Sequence, residues 1–91
     1  MIARAPRKVN IVTTGNGTLI RDITQRAPAK TILYYDTGGG TIEIFNASAA
    51  AAADRFKIPA GVLFEDEDQA LTRYAKATTS AVDLYIQEYD A

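Results

Sequence analysis

Residues Lys30 to Asp36 read Lys-Thr-Ile-Leu-Tyr-Tyr-Asp, and they constrain the fold more than any other stretch. In an extended strand successive side chains point to opposite faces, so Ile32 and Tyr34 share one side and Leu33 and Tyr35 the other. A strand that is apolar on both faces needs cover on both. The chain has only 91 residues, and a domain of that size buries little more than roughly 60% of the surface its unfolded chain exposes. The second layer therefore comes either from helices of the chain itself or from a neighbouring molecule.

Strand signals surround this run. Val9 to Thr14 is β-branched and nearly alternating. Gly15-Asn16-Gly17 follows, and Asn-Gly accepts the positive φ angles of a tight hairpin turn. Thr18 to Thr24 is the return strand, ended by Pro28, which cannot donate to a ladder. Gly40 to Phe45 forms a second hairpin with Lys30–Asp36, with Ile42 and Ile44 inward and Thr41 and Glu43 outward. The last segment, 81–88, alternates Val82, Leu84 and Ile86 against Asp83, Tyr85 and Gln87, which predicts a strand. A helical stripe through Leu71, Tyr74, Thr78, Val82, Tyr85 and Tyr89 is the competing pattern.

Two segments read as helices. Asn46 has N-cap chemistry. Ala47 to Phe56 has high helix propensity, with a stripe of Ala49, Ala52, Ala53 and Phe56. Pro59 and Gly61 place a loop over Lys57–Phe64. Glu65-Asp66-Glu67-Asp68-Gln69 reads as the start of a second helix to about Ala77. Asp66 is its N-cap, Gln69 the capping partner, and the acids sit at the positive end of the helix dipole. A calcium loop would need ligands at alternating positions around a glycine turn, which this run lacks. The resulting expectation is an α+β fold. Residues 9–91 form one domain with a mostly antiparallel sheet of two hairpins plus a C-terminal strand, and two helices packed on one face. Residues 1–8 precede it as an extended basic arm.

Absent residue types narrow the chemistry. There is no cysteine and no histidine, so disulfides, thiolate metal sites and the common nucleophile–base pairs are excluded. No cofactor and no metal is expected. A net charge of −1 conceals an asymmetry. In residues 1–30 Arg4, Arg7, Lys8, Arg21, Arg26 and Lys30 face only Asp22, while residues 31–91 hold four basic and ten acidic side chains, a balance of +5 against −6. Either the two halves neutralise each other on folding, or a basic segment docks on an acidic neighbour.

One motif resembles a known family. Ile32 to Ile44 runs from an apolar strand through Asp36-Thr37-Gly38-Gly39-Gly40-Thr41 into a strand with Glu43 near its start. It resembles the phosphate-contacting turn of the actin-like and heat-shock-chaperone ATPase superfamily. The resemblance implies that Asp36 acts through a metal or its waters, that Gly38, Gly39 and Gly40 offer backbone N–H groups, and that Thr41 offers a hydroxyl. It spans about 13 of the 91 residues, and that superfamily closes two large domains with a second phosphate loop around the nucleotide. The competing reading is a hairpin turn in which Asp36 bonds the local backbone. Asp36-Thr37-Gly38 is also similar to the aspartic-protease triplet, which works only as a pair of carboxylates from symmetric lobes.

The expected function is therefore a non-enzymatic structural or assembly subunit. It associates with copies of itself or docks on a larger complex, such as a virion as a decoration or tail accessory protein. Arg4, Arg7, Lys8 and Tyr35 are the expected partner-binding residues. The alternatives are a small protein-binding inhibitor or adaptor, and phosphate or nucleotide binding through the glycine loop. Nucleic acid is not expected beyond nonspecific phosphate contact by the arm, since aromatic and basic residues are not interleaved. No run approaches the ~20 apolar residues of a membrane span, and no signal-peptide core is present. The expected location is cytoplasmic, or in the host cytoplasm or virion for a viral protein.

Overall fold

The computed structural model describes residues 2–21, 28–36, 40–46, 56–66 and 72–91. These form strands β1 (Ile2–Ala3), β2 (Arg7–Ile11), β3 (Thr18–Arg21), β4 (Lys30–Tyr34), β5 (Thr41–Phe45), β6 (Phe56–Pro59), β7 (Phe64–Asp66), β8 (Arg73–Ala77) and β9 (Val82–Asp90). The front sheet has the order β2-β9-β4-β7, with β1 continuing the β2 edge along β9. The back sheet has the order β3-β8-β5-β6. All pairings are antiparallel. From β2 onward the chain alternates between the sheets, except that β5 and β6 are neighbours in one. Eight strands wound in this order into two facing four-stranded sheets make a jelly roll.

The α+β expectation is corrected: the described residues are all β, with no helix among them. The second expected helix, Glu67 to Ala77, is overturned at 73–77, where strand β8 runs between β3 and β5. Its helix-forming Ala75, Lys76 and Ala77 sit in a central strand because pairing on both edges overrides weak local preference. Arg73, Ala75 and Ala77 turn inward and are buried, while Tyr74 and Lys76 turn outward. Ala47 to Ala53 and the rest of the alanine helix to Arg55 lie outside the described residues. Its last expected residue, Phe56, begins β6. Asp66 is no N-cap but a strand residue opposite Thr31, and the loop assigned to Lys57–Phe64 contains most of β6 and the start of β7.

The two hairpins are also corrected. Glycine–asparagine turns mark reversals, but here each reversal carries the chain from one sheet to the other. β2 pairs with β9 while β3 pairs with β8. β4 likewise pairs with β9 and β7 while β5 pairs with β6 and β8. The corner after β2 depends on Gly17, which holds φ +102. A Cβ there would lie 2.4 Å from the Phe45 ring, itself stacked on Tyr74 at a 5.9 Å centroid distance. Gly17→Ala is therefore expected to cost about 2 kcal/mol, from left-handed strain plus overpacking, read as a lower urea midpoint with an unchanged slope.

The core lies between the sheets. Ile11, Leu33, Tyr35, Ile42, Ile44, Ile58, Leu84 and Ile86 are almost fully buried. β9 shows the pattern most plainly. Val82, Leu84, Ile86 and Glu88 are buried, and Asp83 and Tyr85 are exposed, the alternation of a sheet with one face to a core.

Candidate functional site

Three groupings of side chains stand out, each placed by the strand register. The first is an ionic layer inside one end of the sandwich. Thr31 of β4 lies between Glu88 of β9 and Asp66 of β7, and all three point inward and are buried. Asp66 accepts two hydrogen bonds from Arg73, from Nε at 2.8 Å and from Nη2 at 3.2 Å. Arg21 reaches the same carboxylate at 3.4 Å and donates to the Thr31 hydroxyl at 3.5 Å. Arg21 and Arg73 are themselves opposite each other in the ladder. The sequence hides this grouping, because the acids at 65–68 read as a helix start and nothing local pairs them with arginines.

The same end anchors the N-terminal strand. Arg4 forms a 2.7 Å ion pair with Asp90, and its guanidinium is held above its ordinary pKa chiefly by that hydrogen bond, against the opposing effect of burial. Arg7 pairs with Glu88 at 3.2 Å and donates to the Ile20 carbonyl at 2.8 Å. The Arg4 backbone N–H donates to Glu88 O, and Gln87 Nε2 donates to Arg4 O. Lys8 is exposed on the outer face of β2. Of the four expected partner-binding residues, Arg4 and Arg7 therefore close on acids of the chain's own β9, and Lys8 faces solvent. Tyr35 has no exposed surface.

The second grouping centres on Tyr35. Its hydroxyl lies 2.6 Å from Ile58 O and 2.9 Å from Gly40 O as donor, and accepts from the Ile42 N–H at 3.1 Å. Burial holds the phenol above its ordinary pKa, partly offset by the Ile42 N–H. This ties the front sheet to the entry of β5. In the glycine loop, residues 37–39, including Gly38 and Gly39, lie outside the described residues. Asp36 is exposed. Gly40 holds φ +67. The Thr41 N–H donates to the Thr78 hydroxyl at 3.1 Å, which in turn donates to Thr41 O at 2.8 Å. At this end of the loop, the Thr41 backbone N–H and carbonyl are engaged within the fold.

The third is a groove of about 260 Å³ on the outer face of the front sheet, lined by Pro6, Ile32, Tyr34, Leu63, Tyr85 and Gln87. Tyr34 stands opposite Tyr85, and Ile32 opposite Gln87. Leu63 is 65% exposed and Tyr85 45%. The sequence shows one half of this feature, the two-faced strand at Lys30–Asp36. Among the described residues no group of acids, histidines or cysteines is arranged to hold a metal ion.

These features define a small jelly-roll sandwich with an ionically fastened N-terminal strand. No family model matches the chain, and no curated protein matches it. Among solved structures it is similar to a chain from one described as "Bacillus endospore appendages form a novel family of disulfide-linked pili". The TM-score is 0.51 at 16% sequence identity, over 99% of this chain and 90% of that one. At that identity the likeness is one of fold.

Proposed function

We propose that this chain is a small non-enzymatic structural subunit that assembles with copies of itself. The observation that carries the reading is the match in fold, along nearly the whole of both chains, to a protein whose structure is described as a disulfide-linked pilus. This chain has no cysteine, so its contacts between copies are not disulfides. A role as an accessory part of a larger particle, such as a virion, belongs to the same class.

The N-terminal strand supplies a way for copies to engage. β1 contributes only two ladder residues, and Pro6 separates it from β2. Ile2 remains 69% exposed, so little apolar burial holds this end in place. Arg4 and Arg7 meet Asp90 and Glu88 within one molecule, and the same pairs form between two when the segment around Arg4, Arg7 and Lys8 lies along β9 of a neighbour. Such an exchange reuses existing contacts and needs no new complementarity.

Arg4→Glu tests it, by setting like charges against Asp90. The expected result is faster amide exchange at Arg4, whose N–H bonds Glu88 O, together with a loss of assembled species in sedimentation velocity. Raised salt acts in the same direction. Assembly unchanged in Arg4→Glu would remove the N-terminal strand from the mechanism.

A further inference from the structure

We infer that the outer face of the front sheet is the contact surface for a second copy of this chain, packed face to face about a two-fold axis that sets Asp36 of each copy over Lys30 of the other. This rests on the self-associating reading above and adds to it a surface and a geometry.

The inner face of β4 is covered by the back sheet, but its outer face carries Ile32 and Tyr34 beside exposed Tyr85 and Leu63. A neighbour supplies the layer that this two-faced strand lacks. The occupant follows from how charge is distributed around the apolar centre. Along the strands, one end of the face is acidic. Asp83 is exposed there, held by Asn10 at 3.3 Å, and Asp36 follows two residues after Tyr34. At the other end Lys30 stands opposite Tyr89, with its ammonium 5.8 Å from that ring's centroid and 3.7 Å from Glu65.

Take a two-fold axis in the contact plane, running along the ladder direction at the level of Ile86. The strand register then dictates what meets what. Tyr34 of one copy falls on Ile32 of the other, Tyr85 on Gln87, and Asp36 on Lys30, each contact occurring twice. Ile32 and Tyr34 meet at the centre, with Gln87 and Glu65 bordering them as polar neighbours, and the Asp36–Lys30 pair of opposite charges forms at each end. The sheets stack about 10 Å apart in the manner of an aligned sandwich. Four strands about 4.8 Å apart and seven residues rising about 3.3 Å each outline roughly 400 Å² in plan, about half the roughly 800 Å² per partner of a standard specific interface. Such a contact is weak alone and gains strength when repeated along an assembly.

Charge reversal tests it on the full chain by sedimentation equilibrium, with urea unfolding to verify that each variant is folded. Asp36→Lys and Lys30→Asp each set like charges across both symmetric contacts, and each is expected to weaken the face-to-face dimer on the order of tenfold or more. An equimolar mixture of the two single variants restores two attractive pairs and is expected to recover association. The double variant recovers to within about threefold of the original chain. Unchanged association in both single variants overturns the assignment of this face while leaving assembly by the N-terminal strand standing. Weakening in both without recovery in the mixture overturns the two-fold geometry. A wild-type chain that stays monomeric at every concentration overturns the self-associating reading and this surface with it.

Discussion

Asp66→Asn is expected to cost about 3–5 kcal/mol, the range for removing one partner from a buried ion pair. The side chains of Asp66, Arg21 and Arg73 are only 4%, 6% and 10% exposed. The Asp66 carboxylate thus lies within ion-pair distance of both guanidiniums, in a medium where an unbalanced charge is expensive. Asparagine keeps the shape and loses the charge, so the loss is electrostatic and not one of packing. Against a total stability of about 5–15 kcal/mol for a domain, such a change removes a large share. Urea unfolding reads it as a fall in midpoint at constant slope. Asp83→Asn is the control: Asp83 is exposed, with Asn10 as its side-chain partner among the described residues, and its replacement is expected within about 0.5 kcal/mol of wild type. Equal effects at the two positions would remove the ionic layer from the account of stability.

Tyr35→Phe is expected to cost about 3 kcal/mol, since more than one buried group loses its partner and each is worth roughly 1–3. The ring stays in the core, but Ile42 N–H loses its acceptor and the carbonyls of Ile58 and Gly40 lose their shared donor. The alkaline side gives an independent reading. The phenol's pKa is raised in the fold above the ordinary tyrosine value of about 10, chiefly by burial. Below pH 10 both states hold the proton, and the group's contribution to stability is fully present and does not change with pH. Above it the unfolded chain releases the proton first, so the contribution falls as pH rises towards the folded value. Phenylalanine has nothing to release. The advantage of wild type over Tyr35→Phe is therefore expected to narrow above pH 10, measured by urea unfolding at a series of pH values. An advantage that widened there would contradict a buried neutral phenol.

The strand segments were legible where side chains alternate cleanly. Val82 to Gln87 shows its period directly, and Ile42 and Ile44 point inward as their spacing requires. The order of strands was not legible. Gly15-Asn16-Gly17 and the glycines after Asp36 mark reversals, but nothing in them says whether the chain turns back within a sheet or crosses to the facing one. That choice is made by long-range pairing, such as Val9 with Leu84 and Ile44 with Ala75. Arg73 to Ala77 misled for a related reason. Alanine and lysine favour a helix in isolation, yet Ala75 and Ala77 are buried on the inner face of a central strand paired on both edges. Charge asymmetry was visible in composition, and the fold pairs Arg4 and Arg7 with Asp90 and Glu88 more than 80 residues away. The outer-face groove was half visible: a strand apolar on both sides announces a missing layer, but Tyr85 and Leu63 join it only through the register.

The most direct test of the central claim is the mass of the wild-type chain in solution, followed by sedimentation equilibrium from micromolar to millimolar concentration at low salt. A noncovalent self-assembling subunit predicts a mass that rises above the 9.8 kDa monomer with concentration and falls back on adding salt. A single species at 9.8 kDa across the whole range would contradict it.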